Sequence, residues 1–209
     1  MKTKTDSTSS IRGDFRLIAD IVQPGSRVLD IGCSDGTLLE LLEKEKNVDG
    51  KGIEISPEGV NASVRRGLSV IQGDANTDLY DYPSDAFDYV ILGQTLPAIH
   101  HPREILLELL RIGTHAIVSI PNAGYWRYRL HLLIQGRIPI QESDDTTWWS
   151  TANIHPCTIR DFVNLCKKDG HLILSGFQIN SRGRAVKFLG TGSLANLFGA
   201  QAIFLLSRK

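Results

Sequence analysis

The nine residues Val28-Leu29-Asp30-Ile31-Gly32-Cys33-Ser34-Asp35-Gly36 restrict the available folds more than any other part of the chain. A short apolar run ends in an acid, a turn holding two glycines follows, and Thr37-Leu38-Leu39-Glu40-Leu41-Leu42 then reads as a helix. A strand that turns this sharply into a helix brings backbone N–H groups against whatever lies in the crevice above the sheet. Gly32 and Gly36 permit the close approach because neither carries a Cβ. The pattern predicts a nucleotide-type ligand at the turn. Two other chemistries share parts of it. Gly32-Cys33-Ser34-Asp35-Gly36 fits the G-x-S-x-G nucleophile elbow with Ser34 as nucleophile, but that elbow follows several strands and an oxyanion loop. Only 33 residues precede Ser34, and none of them forms such a loop. A dinucleotide turn would be spaced G-x-G-x-x-G, which is absent here, although a downstream acid keeps an NAD-dependent enzyme as a minor alternative.

Size and charge narrow the classes further. A chain of 209 residues suits one domain with a sizeable core. The expected division is a disordered tail over 1–10, rich in Thr, Ser and Lys, and one ligand-binding domain over 11–209. Lys+Arg and Asp+Glu are both 23, so no bulk basic field invites nucleic acid. No apolar run approaches the ~20 residues of a membrane span, and residues 1–10 lack a secretory hydrophobic segment. Cys33, Cys157 and Cys166 form no CxxC pair, which points to a reducing cytoplasm. No spacing resembles a metal motif.

From Arg27 onward strands and helices alternate. Strand candidates are 27–31, 51–55, 69–72, 87–92 and 115–121, with helix candidates 37–46, 57–66 and 103–111 between them. A helix around Phe15, Ile18, Ala19 and Val22 precedes them and is broken by Pro24-Gly25. This alternation predicts an α/β, Rossmann-like three-layer αβα fold around a mostly parallel sheet. The second half departs from the rhythm. Residues 124–136 read as a basic, aromatic helix, 137–157 as a lid or interface insertion, and 158–168 as another helix. Strands 172–179 and 202–207 are expected to pair as an antiparallel hairpin at the edge of a seven-stranded sheet, with 181–199 glycine-rich and undetermined between them.

Three acids fall at or just beyond strand ends. Asp30 ends the first, Glu54 lies 24 residues on near the end of the second, and Asp74 follows the third. That separation approximates the ~20 residues at which an acid accepts hydrogen bonds from ribose hydroxyls. Asp74 is placed to accept from the exocyclic amine of a base.

At this point the chain resembles the class I S-adenosylmethionine (SAM)-dependent methyltransferases, whose first motif stands here as Asp30-Ile31-Gly32-Cys33-Ser34-Asp35-Gly36. Ser34 departs from the usual glycine. The resemblance implies SAM as cofactor, with Asp30 and Gly32 facing its methionine part, Glu54 holding the ribose, and Asp74 with Ala75 reading adenine. Cys33, Ser34, Gly36, Ile55 and Gln94, the last in Gly93-Gln94-Thr95-Leu96 after the fourth strand, complete the implied cofactor-binding set. A second resemblance covers nearly the whole chain after Ile11. Ile117-Val118-Ser119-Ile120-Pro121-Asn122, Trp126-Arg127, Gly136-Arg137-Ile138-Pro139, Asn153-Ile154-His155 and Ala195-Asn196-Leu197-Phe198-Gly199 are similar to the MetW family of methionine-biosynthesis proteins. It implies a place in methionine synthesis and cooperation with a homoserine O-acyltransferase, MetX.

Two functions follow. One is a SAM-dependent methyltransferase acting on a small acceptor; the other is a non-catalytic accessory protein that binds and activates the acyltransferase. Displacement from a sulfonium needs alignment and exclusion of water more than acid–base chemistry. Where a base is required, His155 is the candidate, ahead of His100 and His101. Arg127 and Arg129 among Tyr125, Trp126 and Tyr128 suit carboxylate recognition or a protein interface. Trp148-Trp149 is expected to form either a lid or a docking patch.

Overall fold

Apolar residues fall on both faces of the central strands, so the sheet must be covered on both sides. The computed structural model describes residues 13–139, 147–151, 153–188 and 192–208. The expected tail over 1–10 and the acidic stretch Glu142–Asp145 lie outside the described residues. The first half alternates as expected: α1 (Gly13–Ile21), β1 (Arg27–Ile31), α2 (Thr37–Lys46), β2 (Asp49–Glu54), α3 (Pro57–Arg65), β3 (Val70–Gln72), β4 (Phe87–Gly93), α4 (Pro102–Ile112) and β5 (Gly113–Pro121). Then come α5 (Trp126–Gln135), α6 (Ile159–Asp169), β6 (Leu172–Ile179), β7 (Ala185–Phe188), α7 (Ser193–Phe198) and β8 (Gln201–Ser207). Among the described residues no helix is long and apolar enough to cross a membrane.

One sheet holds all eight strands in the order β3-β2-β1-β4-β5-β8-β6-β7. β1 to β5 are parallel, and β8 is inserted antiparallel between β5 and β6. The expectation of seven strands with 172–179 and 202–207 as the edge hairpin is therefore corrected. Those two strands do pair, but inside the sheet, and the edge hairpin is β6–β7. The strand missed from sequence, β7, is four residues long and exposed except for Phe188, which packs on the larger core, so it is too short to carry an alternation to read. Its turn is closed by Asn180, whose Oδ1 accepts from the N–H groups of Arg182 and Arg184.

Alternate residues of the strands build two cores. Val28, Ile91, Ile117 and Ile203 pack against Ile18, Ala19 and Val22 of the α1 region and Leu38 and Leu42 of α2. Leu29, Val90, Val118 and Phe204 pack against Ile105, Leu106 and Leu109 of α4 and Ile159, Phe162 and Val163 of α6. Pro102 starts α4 at a position where a missing N–H costs nothing, and a Thr158–Asp161 capping box starts α6. α5 buries none of its residues.

A single side chain ties the second half to the sheet. Asn122, buried at the end of β5, donates through Nδ2 to the carbonyls of Asn196 (2.9 Å) and Gly199 (2.8 Å). Its Oδ1 accepts from the N–H groups of Gly124 (2.9 Å) and Ile159 (3.2 Å). Both donors and both lone pairs of the amide are used, so the start of α6, the end of α7 and the approach to α5 are fixed together.

Candidate functional site

The parallel register aligns the strand tips. Ile31 of β1 stands beside Ile53 of β2 and Leu92 of β4, and Glu54 stands beside Gln72 of β3. Asp30 and Glu54 are thereby brought to neighbouring tips, both buried, with Asp74 two residues beyond the end of β3. Burial, reinforced by the charge of Glu54, pushes the Asp30 carboxyl up from 3.8 to about 7. Among the described residues no cation is paired with either carboxylate.

Between β1 and α2 the turn is wound so that its donors point inward. The N–H groups of Gly32 (2.8 Å) and Cys33 (3.2 Å) both donate to the Ile53 carbonyl, and that of Gly36 donates to Cys33 (2.9 Å). The Ser34 N–H donates to Glu54 Oε2 at 2.7 Å, and the Ser56 N–H to Oε1 at 2.8 Å. The donors expected to face a ligand are thus committed within the protein. A diphosphate would find carboxylates at this rim and the N–H groups of Gly32, Cys33, Ser34 and Gly36 already committed, which argues against the dinucleotide alternative. No histidine is hydrogen-bonded to Ser34 among the described residues, so the elbow reading has no base. Each oxygen of Glu54 keeps a second lone pair, enough for two hydroxyl donors.

Close packing holds this geometry. A Cβ on Gly32 would lie 2.7 Å from Thr95 Oγ1, which brings the turn against the loop leaving β4. A Cβ on Gly59, inside α3, would lie 2.8 Å from both the Ser34 carbonyl and Glu54 Cγ. Ser34 itself sits at φ +53°, in the left-handed region that glycine occupies without strain. Its carbonyl accepts from Ser63 Oγ of α3 at 3.2 Å. Ser56, Gly59 and Ser63 were missed as supports of the site. The Ser56-Pro57 start of α3 was legible as a helix cap, whereas Gly59 shows its reason only in three dimensions.

The remaining candidates divide by position. Gly36, at φ +75°, starts α2 where a Cβ would meet Leu68 at 2.4 Å. Cys33 turns its thiol away into a small core with Leu39, Leu68 and Val70, and burial pushes that thiol up to about 12. Ile55, just past β2, is 63% exposed at the rim and offers an apolar surface to a flat ring. Asp74 folds back on Asn76, with Oδ1 accepting from that residue's N–H and Nδ2, both at 2.8 Å. Ala75 packs on the larger core. The Gln94 side chain is committed elsewhere: Nε2 donates to Gln201 Oε1 (2.7 Å) and Asp14 Oδ2 (3.2 Å), clasping β4 to β8 and α1. Gln94 is also left-handed, at φ +57°. Asp14 and Gln201 carried no sequence signal for this clasp.

His155 is exposed and hangs on the loop after β4. Its N–H donates to the Pro97 carbonyl (2.9 Å), and Nε2 lies 3.3 Å from the His100 carbonyl. The His100 N–H in turn donates to Asn76 Oδ1 at 3.0 Å. Two hydrogen-bonded groups therefore stand at the rim. One is Ser34–Glu54–Ser56, with Asp30 beside it; the other is Asp74–Asn76–His100–His155. The loop from Thr95 to His100 touches both.

Residues 12–206 match the family described as methionine biosynthesis protein MetW. The chain belongs to the MetW family. A bifunctional methionine biosynthesis protein MetXA/MetW of Rhodopirellula baltica is 37% identical over 168 residues. The match covers 76% of this chain and 27% of that protein, so the chain spans about a quarter of that relative's length. A SAM-dependent methyltransferase of Thermotoga maritima has the same fold, with a TM-score of 0.68 at 17% identity over 94% of this chain and 88% of that one. So does the [4+2]-cyclase SpnF, with a TM-score of 0.65 at 18% identity over 93% of this chain and 79% of that one. The α/β methyltransferase fold and a place in the methionine-biosynthesis family are thus established for this chain.

Proposed function

We propose that the chain binds SAM across the tips of β1, β2 and β3 and serves the homoserine acyltransferase of methionine synthesis as an accessory partner. The observation that carries the ligand is the rim itself, where buried Asp30 and Glu54 stand without a paired cation among the described residues, beside a turn whose Gly32, Cys33, Ser34 and Gly36 N–H groups are already bonded. SAM brings a sulfonium and an ammonium, together with ribose hydroxyls that Glu54 has lone pairs left to receive. Exposed Ile55 offers one face to adenine, and Asp74, oriented by Asn76, lies at the base end. When bound, SAM supplies an electrophilic methyl group; the residues of this chain orient and enclose it.

The accessory role is favoured by the relative in which a MetXA part and a MetW part share one polypeptide. Covalent joining raises the effective concentration of two parts that work together. A fold does not dictate its chemistry, and a cyclase shares this one. Mixing the chain with the organism's own homoserine acyltransferase, with and without SAM, tests the reading. The acyltransferase rate is expected to rise on mixing and to respond to SAM; an unchanged rate, with no complex at micromolar concentration, overturns it.

A second reading, methyl transfer to a small acceptor, is favoured by His155. Its ring is held at the loop after β4, and a tautomer donating from Nε2 to His100 leaves Nδ1 to accept a proton. His155→Ala then lowers turnover without altering SAM affinity.

A further inference from the structure

α5 follows directly from Asn122 yet buries no residue. Along it Trp126, Leu130, Leu133 and Ile134 recur at i, i+4, i+7 and i+8, which is one face of a helix. All four are exposed, Leu133 at 81% and Ile134 at 72%. An apolar stripe of this spacing is how a helix is read by a groove in a partner. A ten-residue helix is also marginal in water unless something covers it.

Charge identifies what covers it. Between Trp126 and Pro139 there are Arg127, Arg129 and Arg137 and no acid, the next acids being Glu142, Asp144 and Asp145, in a chain with 23 basic and 23 acidic residues. Arg127 stacks over Trp126 with 5.5 Å to the ring centroid, so its guanidinium lies beside the stripe. Arg129 is anchored back to the Gly124 carbonyl at 2.6 Å. A second copy meeting α5 through the same face would set arginine against arginine, because a two-fold contact is self-complementary. The stripe therefore fits an apolar groove with an acidic rim on a different protein. Resting on the accessory role proposed above, we infer that α5 is the surface that docks the homoserine acyltransferase, with Trp126, Leu130, Leu133 and Ile134 entering its groove and Arg127 and Arg137 meeting acids at the rim. The fused relative supplies the occupant, since its MetW part is joined to a MetXA part. Among the described residues, none of the four stripe side chains shares a hydrogen bond or ion pair with Asp30 or Glu54, so the docking face is tested by variants that leave both carboxylates in place.

The test is a titration of the full chain against the organism's own homoserine acyltransferase. Leu133→Glu with Ile134→Glu changes two exposed positions while keeping a good helix former at each. This double variant is expected to bind at least about thirtyfold more weakly, with melting temperature and SAM affinity unchanged. Arg127→Glu with Arg137→Glu is expected to weaken binding and flatten its salt dependence. Leu107→Glu, on the exposed side of α4, is expected to bind as the wild type does. Wild-type affinity in the first double variant overturns the assignment of the surface and leaves the accessory role standing. A wild-type chain that binds no acyltransferase removes the role and the surface together. Sedimentation showing a homodimer that Leu133→Glu with Ile134→Glu dissociates makes the occupant a second copy and also overturns the assignment.

Discussion

Both oxygens of Glu54 accept a backbone N–H, one from Ser34 and one from Ser56, so the neutral isostere cannot replace it. Glu54→Gln turns an N–H donor toward one of these donors, and leaving that group unsatisfied costs about 1–3 kcal/mol, measurable as a lower urea midpoint. Asp30 governs a pH dependence. Its carboxyl rises from 3.8 to about 7 on folding, through desolvation first and the Glu54 charge second, with the buried Cys33 thiol the other titratable group beside it. The folded chain holds the proton more tightly, so this contribution to stability is complete below pH 3.8 and is lost as pH rises through about 7. Asp30→Asn is expected to flatten the melting temperature over that window and to be the more stable form at pH 8. Thermal melts from pH 4 to 8 on both proteins check this; parallel curves contradict it. The placement of Asp30, Glu54 and Asp74 at or just beyond strand ends was legible in the sequence because each follows or closes an apolar run. Ser56, Gly59 and Ser63 were not, because they support the rim through contacts with Ser34 and Glu54 that exist only after α3 has packed.

At the scale of elements, exposure separates helices that local sequence makes look alike. α4 buries Ile105, Leu106, Leu109 and Leu110, whereas α5 buries nothing. Hydrogen exchange of the isolated chain is expected to be faster by orders of magnitude across 126–135 than across 102–112, because protection follows buried contact. Adding the acyltransferase is expected to slow exchange across 126–135; protection there as strong as in α4 before any partner is added contradicts the exposed placement. Asn122 is the element-scale joint. Asn122→Ala strands the N–H groups of Gly124 and Ile159 and the carbonyls of Asn196 and Gly199. Calorimetry is expected to show a loss of about 2–4 kcal/mol, and a change under 1 kcal/mol would mean that water replaces the amide. The alternation up to β5 was legible because β1, β2, β4 and β5 are largely buried and α2 and α4 each bury one apolar side. β7 escaped notice because it is four residues long and exposed but for Phe188, and the place of β8 inside the sheet depends on pairing that no local pattern encodes.

Across the whole molecule, one sheet carries two regions of different chemistry. The tips of β1 to β3 hold the carboxylates, and the connection between β5 and α6 carries α5 and the exposed pair Trp148 and Trp149. The proposed SAM site stands on Asp30 and Glu54. Calorimetric titration of SAM into the wild-type chain and into Glu54→Gln, at a temperature where circular dichroism finds both folded, tests it most directly. One saturable site in the wild type, weakened at least about tenfold in Glu54→Gln, is the expected result. No saturable heat in the wild type, or equal affinity in the two proteins, would contradict it.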